Sequence, residues 1–195
     1  MACDISNGRI EQCKDSVSGL KAIYIINYDK LNSDSVTYLT ATGSEDVIEA
    51  WTPIDDSVSM NLYKYELKST TNSFTTAIES SRDNGTTFFS QTLVAALKRQ
   101  DAATTKNVKL LAYGRPRIVI RTMTDQFFLM GLDQGADVSA GEISSGAALG
   151  DFNGYSLTFL AQEEMPANFL DCSNEAGLKV LFATVSGAEA VIVTS

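Results

Sequence analysis

A two-residue period constrains this chain more than any other feature. In "NLYKYELKS", Leu62, Lys64, Glu66 and Lys68 alternate with Tyr63, Tyr65 and Leu67. Successive side chains of a strand point to opposite faces, so this pattern separates a charged face from an apolar one only if the segment is extended. "YSLTFLAQEE" repeats the pattern, with Tyr155, Leu157, Phe159 and Ala161 set against Ser156, Thr158 and Leu160. "LKAIYIINY" (20–28) and "VTYLTAT" (36–42) are rich in β-branched and aromatic residues and read as strands. The turn cluster "DKLNSDS" between them predicts that they pair. Asn84-Gly85 is a strong hairpin signal and predicts an antiparallel pair of 73–81 with 86–97.

One segment reads as helix. Asp101 is placed to cap "AATTKNVKLLAY", and Ala102, Thr105, Val108, Leu111 and Ala112 share a face. Gly114 is expected to end it in the left-handed region, with Pro116 preventing continuation. "PRIVIRTM" and "QFFLMGLD" read as further strands, with Arg117, Val119 and Arg121 on one face of the first. The glycine-rich stretch 135–154 suits either a flexible loop or a bulged strand. The acidic stretch 43–59, which holds Trp51, reads as irregular, and the tail from Gly177 predicts one or two more strands. The expected fold is mostly β: residues 1–19 form an extended N-terminal arm, and 20–195 form one sandwich or barrel domain with a single packed helix.

Charge and composition narrow the function. The net charge of −9 argues against a protein that grips nucleic acid by its phosphates. No apolar run approaches the roughly 20 residues of a membrane helix, and the first nineteen residues lack a signal-peptide core. The expectation is a protein with no membrane partner. Cys3, Cys13 and Cys172 show no metal-ligand spacing, and reduced thiols are favoured over a Cys3–Cys13 disulfide. The chain has no histidine, which removes the commonest general base and every Ser-His or Cys-His nucleophile pair.

The sites that suggest chemistry fail on spacing. Asp151-x-Asn153-Gly154 resembles the start of a calcium loop, but an EF-hand needs an oxygen ligand at its fifth position, Gly at its sixth and Glu at its twelfth. Counted from Asp151, the fifth residue is Tyr155 and the twelfth is Gln162, so the stretch reads as a turn. Glu163 and Glu164 are neighbours on a strand, point to opposite faces and read as a solvated strand end. The basic spot Arg115, Arg117 and Arg121 reads as a subunit contact or a solvated face. No catalytic residue, metal ligand or cofactor is expected.

The order of these elements resembles the tail-tube proteins of tailed bacteriophages. Long paired strands, the capped helix "DAATTKNVKLLAYGRP", the pair "RIVIRTM"/"QFFLMG", a glycine-rich hairpin and "GDFNGYSLTFLAQEEMPANFL" carry the likeness over residues 20–170. The resemblance implies two packed sheets with a flanking helix, and six copies closing into a ring whose inner sheets join as a β-barrel. The rings would stack, by the arm 1–19 and the loop 43–59 with Trp51 as candidate anchor, into a tube that conducts DNA without binding it specifically. Strands within 59–81 and 86–97 would form the inner wall. Partners would be other copies and other virion proteins, in a phage tail assembled in the host cytoplasm. The alternatives are a head–tail connector, a tail terminator or a capsid decoration protein. From another class, a carbohydrate- or ligand-binding sandwich would use Trp51, Tyr63 and Tyr65.

Overall fold

The structure, a computed structural model, describes residues 8, 9, 14 and 16–194. Most of the expected arm, with Cys3 and Cys13, lies outside the described residues. Twelve strands form a six-stranded sheet, a four-stranded sheet and a two-stranded ribbon, and two helices accompany them. The chain is mostly β, as its alternation requires.

In chain order the elements are β1 (Leu20–Ile26), β2 (Leu31–Tyr38), β3 (Ile48–Pro53), β4 (Asn61–Glu66), β5 (Ser73–Ser81), β6 (Thr86–Lys98), α1 (Ala102–Tyr113), β7 (Arg117–Thr122), β8 (Phe127–Met130), β9 (Asp137–Ser144), β10 (Gly154–Glu163), β11 (Asn168–Phe169), α2 (Glu175–Leu181) and β12 (Val191–Val193). The large sheet runs β11-β8-β7-β1-β4-β12 and the smaller one β5-β6-β10-β9. The chain passes between these sheets at four connections: β4 to β5, β6 to β7 through α1, β8 to β9, and β10 to β11.

The large sheet is covered on both faces. Ala22, Tyr24 and Ile26 of β1 join Val119, Phe127 and Leu129 in a core closed by Trp51 of β3 and by Leu178, Leu181 and Phe182 in and after α2. Ile23 joins Ile118, Ile120 and Met130 in a second core against Leu93, Leu157 and Phe159 of the small sheet, with Val108 of α1 at its margin. A strand buried on both faces reads as an almost continuous apolar run, which is why "AIYII" and "IVI" lack polar alternation.

The β5–β6 pairing, the β7–β8 pairing and the Asp101 cap match their sequence signals. Asp101 accepts a hydrogen bond from Thr104 N–H at 2.7 Å, and Gly85 takes a φ of 63° in the hairpin turn. The hairpin runs three ladder pairs past the end of β10, from Glu79↔Phe88 to Ser81↔Thr86.

Several expectations are corrected. β2 pairs with β3 rather than β1, because β1 is occupied on both edges by β4 and β7. The stretch read as irregular therefore contains a strand. The tail holds helix α2 before its last strand; Asn174 accepts from Gly177 N–H at 2.8 Å, and Leu178 and Leu181 bury one face. Gly114 is extended (φ −97°) rather than left-handed, yet its N–H still reaches the Leu110 and Leu111 carbonyls.

Arg117, expected on a contact face, is buried at 1% exposure. Its Nε donates to Leu132 O at 2.8 Å, and its Nη1 donates to Tyr28 O and Leu31 O at 2.8 and 2.9 Å. The rings of Tyr28 and Trp51 lie 4.2 and 4.9 Å from the guanidinium carbon. Three carbonyls, two from connections and one from the first residue of β2, thus converge on one planar donor. Replacing Arg117 with Met leaves them without it and is expected to cost about 3–5 kcal/mol in urea unfolding. Arg117→Lys keeps the charge but not the fork and should lose about half as much.

Candidate assembly surface

The small sheet has one dry face and one wet face. Register sets which residues lie together: Phe74, Leu93, Tyr155, Leu157 and Phe159 face the core, so their neighbours in sequence face outward. The outward set is rich in hydroxyls, with Thr75 on β5, Ser90 and Thr92 on β6, and Ser156 and Thr158 on β10. Phe88, Val94 and Leu160 are its larger apolar members. Its charges are the carboxylates of Glu79, Asp137 and Glu142; Lys98 shares their register, but its Nζ donates to the Lys68 carbonyl at 3.4 Å beside β4. The surface is wide, polar and weakly acidic.

Its two outer strands are β5 and β9, and neither has a second strand neighbour among the described residues. β5 exposes most of its residues, including Ile78 at 69% exposure. β9 carries a bulge at Ser139, where Thr158 pairs with Ala140 and Phe159 with Val138. The glycine-rich stretch is thus a bulged strand leading into a tight tip. Gly154 returns the chain at φ 157°, where a Cβ would collide with the Leu97 carbonyl. Asp151 accepts from Ala147 N–H and Ala148 N–H at 2.9 and 2.7 Å, so its carboxylate braces this tip.

The sequence-predicted contact residues do not form one site. Trp51 is wholly buried and donates its Nε1–H to Asn32 O at 2.8 Å, so it is a core side chain and not a surface anchor. That also removes it from the aromatics available to a carbohydrate. Arg121 is ion-paired within the chain, to Asp125 at 2.6 Å and Glu175 at 3.1 Å. Of the four, only Arg115 remains on the surface, where it donates to the Gln134 carbonyl. Tyr63 and Tyr65 do share a site. With Tyr28, Tyr113, Leu110 and Leu111 they line a cleft of about 630 Å³ beside α1.

Two carboxylates titrate in opposite directions. Glu163, expected in solvent, is buried at 4% exposure and accepts from Asp133 N–H and Gln134 N–H at 3.2 and 2.9 Å. Burial pushes its carboxyl above the usual range, and these hydrogen bonds only partly offset that. It holds the β8–β9 connection, which Gln91 also holds through Gly131 N–H at 3.2 Å. Glu175 accepts from Lys64 at 2.9 Å and Tyr24 at 2.9 Å. Its partial burial raises it, but Lys64, Tyr24 and Arg121 outweigh burial and hold it below the usual range. Hydrogen bonds from Lys21 and Arg121 depress Asp125 likewise. The Cys172 thiol is pushed up to about 12 by burial, which leaves it protonated and unreactive at neutral pH.

These shifts set the pH profile. Glu163 is raised on folding, so the stability it contributes is present below the ordinary carboxylate range and is lost as pH rises through its folded value. Glu175 and Asp125 are lowered, so theirs is present above that range and lost as pH falls. Urea midpoints measured from about pH 3 to about 8 should pass through a mildly acidic maximum. Glu163→Gln should flatten the neutral side of that maximum and leave the acid side; Glu175→Gln should flatten the acid side. Among the described residues, no helix is long and apolar enough to cross a membrane, and no cluster of three or more Cys, Asp or Glu could hold a metal ion. The chain matches no protein-family model, no curated protein and no solved structure.

Proposed function

We propose that this chain is a virion structural protein that assembles with copies of itself into rings, and that the rings stack into a phage tail tube through which DNA passes. The observation that carries this reading is the small sheet: one wet, weakly acidic face between two edges, β5 and β9, that have no further strand partner among the described residues, with α1 flanking the Ser144 end of β9. An uncovered edge is a row of N–H and C=O groups ready to pair with another chain, and a closed ring removes both edges at once. Pairing β5 of one copy with β9 of the next would turn the hydroxyl faces toward a common lumen. Six copies is the number the tail-tube resemblance implies. A wall of hydroxyls and sparse carboxylates repels phosphates weakly and holds none, which suits a conduit for DNA. In this reading the partners are other copies and other virion proteins, and the site of action is the phage tail.

The test is concentration-dependent assembly, read by mass photometry and negative-stain microscopy. The wild-type chain is expected to form rings or tubes. Ile78→Lys places an ammonium at the β5 edge, on a side chain already 69% exposed, so the monomer should melt as the wild type does while assembly is lost. A wild-type chain that stays monomeric at every concentration, and is absent from purified virions, overturns the proposal.

A further inference from the structure

We propose that the tip of the β9–β10 hairpin of one copy docks into the cleft beside α1 of a second copy. This inference rests on the reading that copies associate, and it names a contact separate from the strand edges.

The tip is an apolar knob on a braced support. Leu149 is fully exposed, and Ile143 and Phe152 near it are exposed as well. The turn beneath them is fixed from within by the Asp151 carboxylate and by Asp151 N–H on Ala148 O at 3.1 Å. Its base is fixed from outside, by Arg99 N–H on Asn153 O at 2.7 Å and Gln100 Nε2 on Ser144 O at 2.7 Å. A knob already held in shape loses little conformational entropy when it docks. A fully exposed leucine on such a support has no role in the core of its own chain.

The cleft is its counterpart in shape and charge. It is walled by Tyr63 and Tyr65 of β4 and by Leu110, Leu111 and Tyr113 of α1. Leu110 and Tyr113 stand at its lip, 59% and 83% exposed. It shares Tyr63, Tyr65 and Asn107 with an adjoining hollow of about 530 Å³. Together the two bear Lys30, Lys64, Lys98, Arg99 and Arg115 against Asp29, Glu66 and Asp101; with Glu175, which pairs with Lys64 at 2.9 Å, the surplus is one positive charge on a chain of net −9. The hairpin from Gly141 to Gly154 bears Glu142 and Asp151 and no basic residue. The acidic, apolar tip therefore meets a cationic, aromatic-walled recess. Knob and cleft are different surfaces, so in a stacked assembly the contact runs head to tail, the knob of one copy in the cleft of the next.

The experiment places the photo-crosslinking residue benzoylphenylalanine at position 149 in a mixture of light and ¹⁵N-labelled chains. Crosslinks are expected between a light and a heavy chain, on peptides containing Tyr63, Tyr65 or 110–115. Leu149→Asp and Leu110→Asp should each weaken self-association about tenfold in sedimentation without moving the melting temperature. Leu149→Lys combined with Leu110→Asp should recover much of the loss. Crosslinks confined to one chain or mapping elsewhere overturn the proposal, as does a Leu149→Asp chain that assembles like wild type. In that last case the assembly reading survives. A wild-type chain that never associates removes both. Saturable binding of a glycan in the cleft, unaffected by the tip variants, also overturns it.

Discussion

A positive charge sealed inside the protein, with carbonyls rather than a carboxylate as its hydrogen-bond partners, sits at the junction of the fold. The Arg117 guanidinium takes the Leu132 carbonyl from the β8–β9 connection, the Tyr28 carbonyl from the β1–β2 connection and the Leu31 carbonyl at the start of β2. Backbone that leaves a sheet has spare acceptors, and burying them without a donor costs more than most single contacts return. One planar donor resolves three at once, with aromatic rings of Tyr28 and Trp51 beside it. Glu163 and Gln91, from the opposing sheet, hold the amides of the same connection. The two sheets are thus tied through a polar knot as well as through the core between them.

What covers each face sets the two sheets apart. The large sheet is covered by the β2–β3 ribbon and α2 on one side and by the small sheet on the other, so its residues are committed to packing. The small sheet has one face committed and one free. Polar side chains not committed to packing therefore concentrate on its outer face as hydroxyls and scattered carboxylates, while partly buried tyrosines line the cleft beside α1.

The strands with strict alternation were legible because one face is wet and the other dry: β10, and the β5–β6 hairpin with its Asn-Gly turn. Helix α1 was legible because its cap and its stop are local. What escaped depends on distant partners. Nothing local in "VTYLTAT" says that β1 already has two neighbours. Residue type alone makes Trp51 an anchor, Arg117 a contact and Glu163 a solvated acid. All three are buried because segments far away in sequence supply their partners. The signal available for Arg117 was the apolar run on both sides of it, which marks a strand with no solvent face. For α2, "SNEAGL" offers an N-cap followed by an acidic first turn, and the β-branched tail masked it.

The reach of the β5–β6 hairpin has a mechanical corollary. Past Glu163 its last three ladder pairs are a bare ribbon with no third strand beneath them, cross-linked by the Ser80–Thr87 hydroxyl pair at 2.9 Å. Two-stranded ribbons coil more tightly than wide sheets and resist bending less. Load applied at Gly85 would be absorbed there, as spring-like deflection, before it strained the sandwich.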